Sequence, residues 1–120
     1  MSDRICLIVD DDPAIRRYFR AILERRQLHV LETEDAPHAF RLIQKLEGRV
    51  ALLVSDIDVP GELDGVDLAH FVRNAFPAIP VILVSKHWER SSKKAGRFHL
   101  IEMPLVPETI LKAVEDLVVN

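Results

Sequence analysis

Short apolar runs alternate with amphipathic stretches along the whole chain. Ile5–Val9, Val50–Val54 and Val81–Val84 are apolar without a break. Runs that lack a period of two mark strands buried on both faces. HVLETE, His29–Glu34, reads as a shorter strand, and FHLI, Phe98–Ile101, as a weaker one. Between them the spacing becomes helical. Ile15, Phe19, Ile22 and Leu23 share one face of a helix expected to end near Arg26. Asp12 suits its N-cap, and Pro13 its first turn, where the missing N–H costs nothing. Asp35 can cap a second helix with Ala39, Phe40, Ile43 and Leu46 inward, ended by Gly48. Gly65 opens a third, with Val66, Ala69, Phe71, Val72 and Phe76 mostly on one face. Pro107–Val118 forms the last, with Ile110, Leu111, Val114, Leu117 and Val118 inward. WERSSKKAGR, Trp88–Arg97, fits poorly. Trp88 and Ala95 are its main apolar residues, so a helix there buries little and is expected to be short, loose or mobile.

The alternation of strand and helix implies a parallel sheet covered on both faces. Right-handed crossovers then give a doubly wound three-layer α/β sandwich. At 120 residues the chain is expected to be one domain, residues 1–120. Composition changes this picture little but excludes several functions. The net charge of −3 argues against a general nucleic-acid surface. The single cysteine, Cys6, rules out a disulfide framework or a thiolate metal cage within the chain and reads as a core residue. No apolar run approaches the roughly 20 residues needed to span a bilayer. Acids at Asp3 and Asp10–Asp12 interrupt any leader-like segment, so a cytoplasmic protein is expected.

Candidate chemistry lies at the strand ends. Doubly wound sheets bind ligands outside the carboxyl ends of their strands, where strand order reverses. Those ends carry Asp10 and Asp11, then Asp56 and Asp58, then Ser85. Carboxylates gathered on one rim repel and raise one another's pKa, and a hard divalent cation relieves that. Oxygen donors without His or Cys point to Mg²⁺ rather than zinc. An Asp after a strand is often only a turn former or cap, which suffices for Asp12 and Asp64. Independent caps have no reason to fall at one end of successive strands, so Asp10, Asp11 and Asp56 are taken as a shared site. The five histidines are scattered and read as surface or packing residues. Lys93–Lys94 reads as a solvated face, and Trp88 as a packing residue or partner anchor.

Three segments together resemble the response-regulator receiver domain of two-component signalling. LIVDDDPAIRRYFRAIL is similar to its first strand, acidic pair and first helix. LLVSDIDVPGELDGVDLA resembles its phosphoacceptor strand and following loop, and IPVILVS its fourth strand with a terminal hydroxyl. The resemblance implies a five-stranded sheet in the flavodoxin-like order 2-1-3-4-5. It makes Asp56 the phosphoacceptor, served by a histidine kinase or phosphotransfer protein. Asp10 and Asp11 would hold Mg²⁺ with Asp56, Asp11 the more directly, and Asp58 would add its backbone carbonyl. Ser85 would hydrogen-bond the phosphoryl group. No turnover is implied beyond slow self-phosphorylation and self-dephosphorylation. The Asp56 charge is expected to be tolerated because the site is wet, cationic and on the rim.

The chain also departs from this family. Where a Lys usually precedes the proline after the fifth strand, it has Met103 before Pro104. A Lys ammonium about 4 Å from a phosphoryl oxygen is worth roughly 1–4 kcal/mol of screened Coulomb energy. Lys86 follows Ser85 where a small residue is usual. It either reaches over the site and replaces part of that charge, or points to solvent and crowds the opening. Leu100 takes the place of the aromatic switch residue, with Phe98 and His99 close by, and PGELDG is one residue longer than the shortest family loop. The family's output face surrounds the fourth helix, fifth strand and fifth helix, where an effector protein or domain, or a second copy, would bind. Two other readings are a pseudo-receiver, a protein-binding module that works without phosphate, and a haloacid-dehalogenase-like phosphohydrolase, suggested by the Asp-x-Asp of Asp56 and Asp58.

Overall fold

The computed structural model describes residues 4–86 and 95–118. Five strands form one parallel sheet: β1 (Arg4–Val9), β2 (Leu28–Thr33), β3 (Leu52–Asp56), β4 (Val81–Ser85) and β5 (His99–Glu102). Their spatial order is β2-β1-β3-β4-β5, the order expected. Among the described residues the helices are α1 (Pro13–Glu24), α2 (Ala36–Lys45), α3 (Gly65–Ala75) and α4 (Pro107–Leu117). The doubtful segment Trp88–Arg97 lies outside the described residues except for Ala95, Gly96 and Arg97. Ala95 is buried.

The unbroken apolar runs have the physical cause anticipated. Successive side chains of a strand face opposite ways, and here both ways lead into a core. Leu7 and Val9 of β1, Leu53 of β3 and Leu83 of β4 pack on the side of α2 and α3. Cys6 and Ile8, Leu52 and Val54, and Ile82 and Val84 pack on the side of α1 and α4. Burial pushes the Cys6 thiol far above its ordinary pKa, as befits an inert core residue.

The helix starts follow the caps. The Asp12 carboxylate accepts from Ala14 N, and Asp35 from His38 N. Asp64 and Asp67 form a reciprocal capping box at the start of α3. One boundary and one helix face differ from expectation. Helix α1 stops at Glu24, where Gln27 takes a left-handed φ of 61° and turns the chain into β2. The inward face of α3 is carried by Leu68 as well as Val66, Ala69 and Val72, while Phe71 stands 45% exposed. Phe71 rests instead against Phe40 of α2, ring centroids 5.9 Å apart. No described helix is long and apolar enough to cross a membrane.

Candidate functional site

Register brings the strand ends together. Val9 pairs with Ser55, and Asp56 pairs with Val84. Asp10, next after Val9, therefore stands beside Asp56 on the neighbouring strand, and Ser85 lies one residue beyond the partner of Asp56. One oxygen from each of Asp10, Asp11 and Asp56 falls within a group spanning no more than 4.8 Å. Asp11 is exposed, while Asp10 and Asp56 are buried. Asp58 is exposed, and its carboxylate is not in this group. Three hard oxygen donors, with neither nitrogen nor sulfur among them, suit a divalent cation of the Mg²⁺ kind.

The site corrects one expectation. The site around Asp56 is expected to be wet, yet the Asp56 and Asp10 side chains are only 1% and 3% exposed. An isolated carboxylate at such burial is very costly, so compensation must come from the protein. Much of it comes from Lys86. Its Nζ lies 3.0 Å from Asp56 Oδ2 and 3.1 Å from Asp10 Oδ1. Of the two orientations left open by the sequence, the lysine therefore takes the one over the acids, with a side chain 25% exposed. Backbone donors add to it: Asp12 N bonds Asp10 Oδ1 at 2.9 Å, and Asp58 N bonds Asp56 Oδ1 at 3.2 Å.

The electrostatics follow from these contacts. Burial raises the Asp10 carboxyl above its usual range, against the pull of Asp12 N–H and Lys86. For Lys86, burial disfavours the charge, but hydrogen bonds to Asp56 and Asp10 outweigh it and raise the pKa. Lys86 is a charged ammonium at neutral pH. Ser85 is also buried, and its Oγ has no hydrogen-bond partner among the described residues.

Neighbouring elements hold the acidic turn. The Arg16 guanidinium donates from Nη1 to the Asp10 carbonyl at 2.7 Å and from Nε to Glu32 at 2.9 Å. Glu32 also accepts from Arg20 at 2.8 Å. Burial works against the Glu32 charge, but the two arginines win and hold its pKa below the usual value. Along the sequence Arg16 is one of several arginines of the first helix. Its place one turn beyond the Asp12 cap was the available signal. By sequence Gly65 is a helix start. A Cβ there would lie 2.0 Å from the Asp56 carbonyl oxygen, so α3 can approach this close only without a side chain.

The end of β5 contributes differently. Met103 N donates to the Ser85 carbonyl at 3.0 Å, while Met103 is 38% exposed. Leu100 is half-buried against the α2–α3 core. Phe98 lies under the Arg73 guanidinium, 4.3 Å from the ring centre, and edge-on to His70.

The response regulator receiver domain family matches residues 6–115. This chain belongs to the response-regulator receiver family. Over 109 residues the receiver domain is 35% identical to protein PetR of Rhodobacter capsulatus, covering 88% of this chain and 44% of that protein. It is 30% identical to the transcriptional regulatory protein ResD of Bacillus subtilis, covering 92% and 46%. The chain thus spans less than half the length of these relatives. Among solved structures, a CheY-like receiver domain protein from Methanospirillum hungatei superposes with a TM-score of 0.81 at 28% identity, covering 96% of this chain and 93% of that one. TrrA from Thermotoga maritima, solved in complex with Mg²⁺-BeF, superposes with a TM-score of 0.83 at 21% identity, covering 96% and 99%. The fold is thus the flavodoxin-like, CheY-type sandwich. Receiver domains are signalling modules rather than enzymes in the usual sense, and this one carries a cluster of aspartates that could bind a metal ion.

Proposed function

We propose that this receiver domain is a phosphoacceptor switch in which Asp56 takes a phosphoryl group from a histidine kinase or phosphotransfer protein. One observation carries the reading. A buried aspartate shares one oxygen cluster with Asp10 and Asp11 and pairs with a charged Lys86, and on the neighbouring strand end the buried Ser85 hydroxyl has no partner among the described residues. A buried hydroxyl without an acceptor costs about 1–3 kcal/mol, and a phosphoryl oxygen would satisfy it.

Asp10, Asp11, Asp56 and the Asp58 main-chain carbonyl are the proposed Mg²⁺ ligands. When bound, the metal supplies a positive charge that neutralises phosphoryl oxygens in the transition state. In the transfer, an Asp56 carboxylate oxygen forms the new O–P bond as the P–N bond to the donor histidine breaks. The histidine nitrogen keeps the electron pair. Asp58 N–H orients the carboxylate, Ser85 Oγ donates to the transferred group, and Lys86 supplies the cation that Met103 cannot. The changed charge at Asp56 then shifts a protein-binding face, with an effector or a second copy as partner.

Acetyl phosphate labelling read by intact mass tests this. The protein should gain the mass of one phosphoryl group with Mg²⁺ and none after chelation or in Asp56→Asn. A second reading, a module that binds its partner without phosphate, is favoured by the exposed Met103 and by an acid site already partly neutralised from within by Lys86. Absence of labelling in the parent protein, with partner binding intact, would establish that reading instead.

A further inference from the structure

Both oxygens of the Asp56 carboxylate are already engaged. Oδ1 accepts from Asp58 N and Oδ2 from Lys86 Nζ. The same ammonium bridges to Asp10 Oδ1, so it spans the gap between two of the three clustered acids. We propose that Lys86 and a divalent cation are alternative partners of Asp56, so that loading the metal releases the lysine. This deepens the functional reading, since it rests on Asp10, Asp11 and Asp56 as metal ligands.

Three features support exchange over simple addition. A cation joining Asp56 while Lys86 stays would set like charges side by side in a buried site, where screening is weak. The carboxylates do not depend on Lys86 for their placement. Main-chain donors, Asp12 N and Asp58 N, fix one oxygen of each. Lys86 can leave without moving the backbone, because its stem is long and flexible and its side chain already has a route to solvent. Lys86 is then a positioning residue with two posts, the acceptor carboxylate at rest and the incoming phosphoryl group after the metal has loaded.

The test reads Lys86 directly. Brief treatment with acetic anhydride, followed by peptide mass analysis, measures how available each lysine amine is, with exposed Lys112 as internal reference. Mg²⁺ should raise acetylation of Lys86 several-fold relative to Lys112. In parallel, calorimetric titration should show Mg²⁺ binding to Lys86→Ala about tenfold more tightly than to the parent, equivalent to about 1.4 kcal/mol. Binding of Mg²⁺ to the parent with unchanged Lys86 acetylation overturns the exchange and leaves the metal site standing. A purely through-space effect of the lysine charge gives that same result, with the affinity change alone. If neither parent nor variant binds Mg²⁺, the metal-site reading itself fails and the exchange falls with it.

Discussion

The ends of β4 and β5 lie side by side, joined by the 3.0 Å bond from Met103 N to the Ser85 carbonyl, yet only one of them sends a cation to the acids. The β4 end is polar and turned inward, with Ser85 buried and Lys86 paired to two aspartates. The β5 end turns outward, with Glu102 exposed and Met103 38% exposed, and brings no cation to the acids. Receiver domains usually carry the lysine at the second place, and here the cation comes from the first. The contrast teaches that a buried acid needs a charge within reach and is indifferent to which strand supplies it. Coulomb energy depends on distance and surroundings, and a lysine stem reaches across one strand spacing with ease.

The sharpest way to break the comparison is to move the charge. Lys86→Ala should slow acetyl phosphate labelling by about tenfold or more, given roughly 1–4 kcal/mol for such a cation. Adding Met103→Lys to that variant should recover most of the rate, while Met103→Ala alone should leave it unchanged. If the double variant stays slow, the two strand ends are not equivalent. Gly65→Ala tests how tightly the acid end is built. Its methyl group would collide with the Asp56 carbonyl, so chemical denaturation should show a loss of about 1–3 kcal/mol, as overpacking typically does.

A smaller effect sharpens the cost of buried charge. Asp10→Asn keeps an acceptor for Asp12 N and for Lys86 but removes a carboxylate that burial disfavours. With chelator present its denaturation midpoint should rise, and its Mg²⁺ affinity should fall. An unchanged midpoint would mean that Lys86 fully offsets the burial. The smallest effect concerns Glu32. Its folded pKa is lowered, so its contribution is present above the unfolded value and is lost as pH falls through the folded one. Glu32→Gln should cost about 1 kcal/mol or less at neutral pH, because the pair is partly exposed. That difference from the parent should vanish in acid, as followed by denaturation at several pH values.

Much of this was legible along the chain because it depends on short-range pattern. Unbroken apolar runs declared strands covered on both faces, and Asp12, Asp35 and Asp64 announced the helices that they cap. The rule that ligands gather at strand ends singled out Asp10, Asp11 and Asp56, and the family resemblance gave them roles. Other features were beyond such reading. Phe71 sits at a spacing that fits the inward face of α3, and only packing against Phe40 decided that it stands on the surface. Gly65 looked like an ordinary helix start until its closeness to Asp56 was known.

What the sequence by itself determined was the succession of elements and the set of acids, since periodicity and caps act over a few residues. The tertiary structure alone decided that Asp56 and Asp10 are dry, that Arg16 braces their turn, and that Lys86 turns inward rather than to water. Each of those depends on distances between residues remote in the chain, and charges interact through space whatever their separation in sequence.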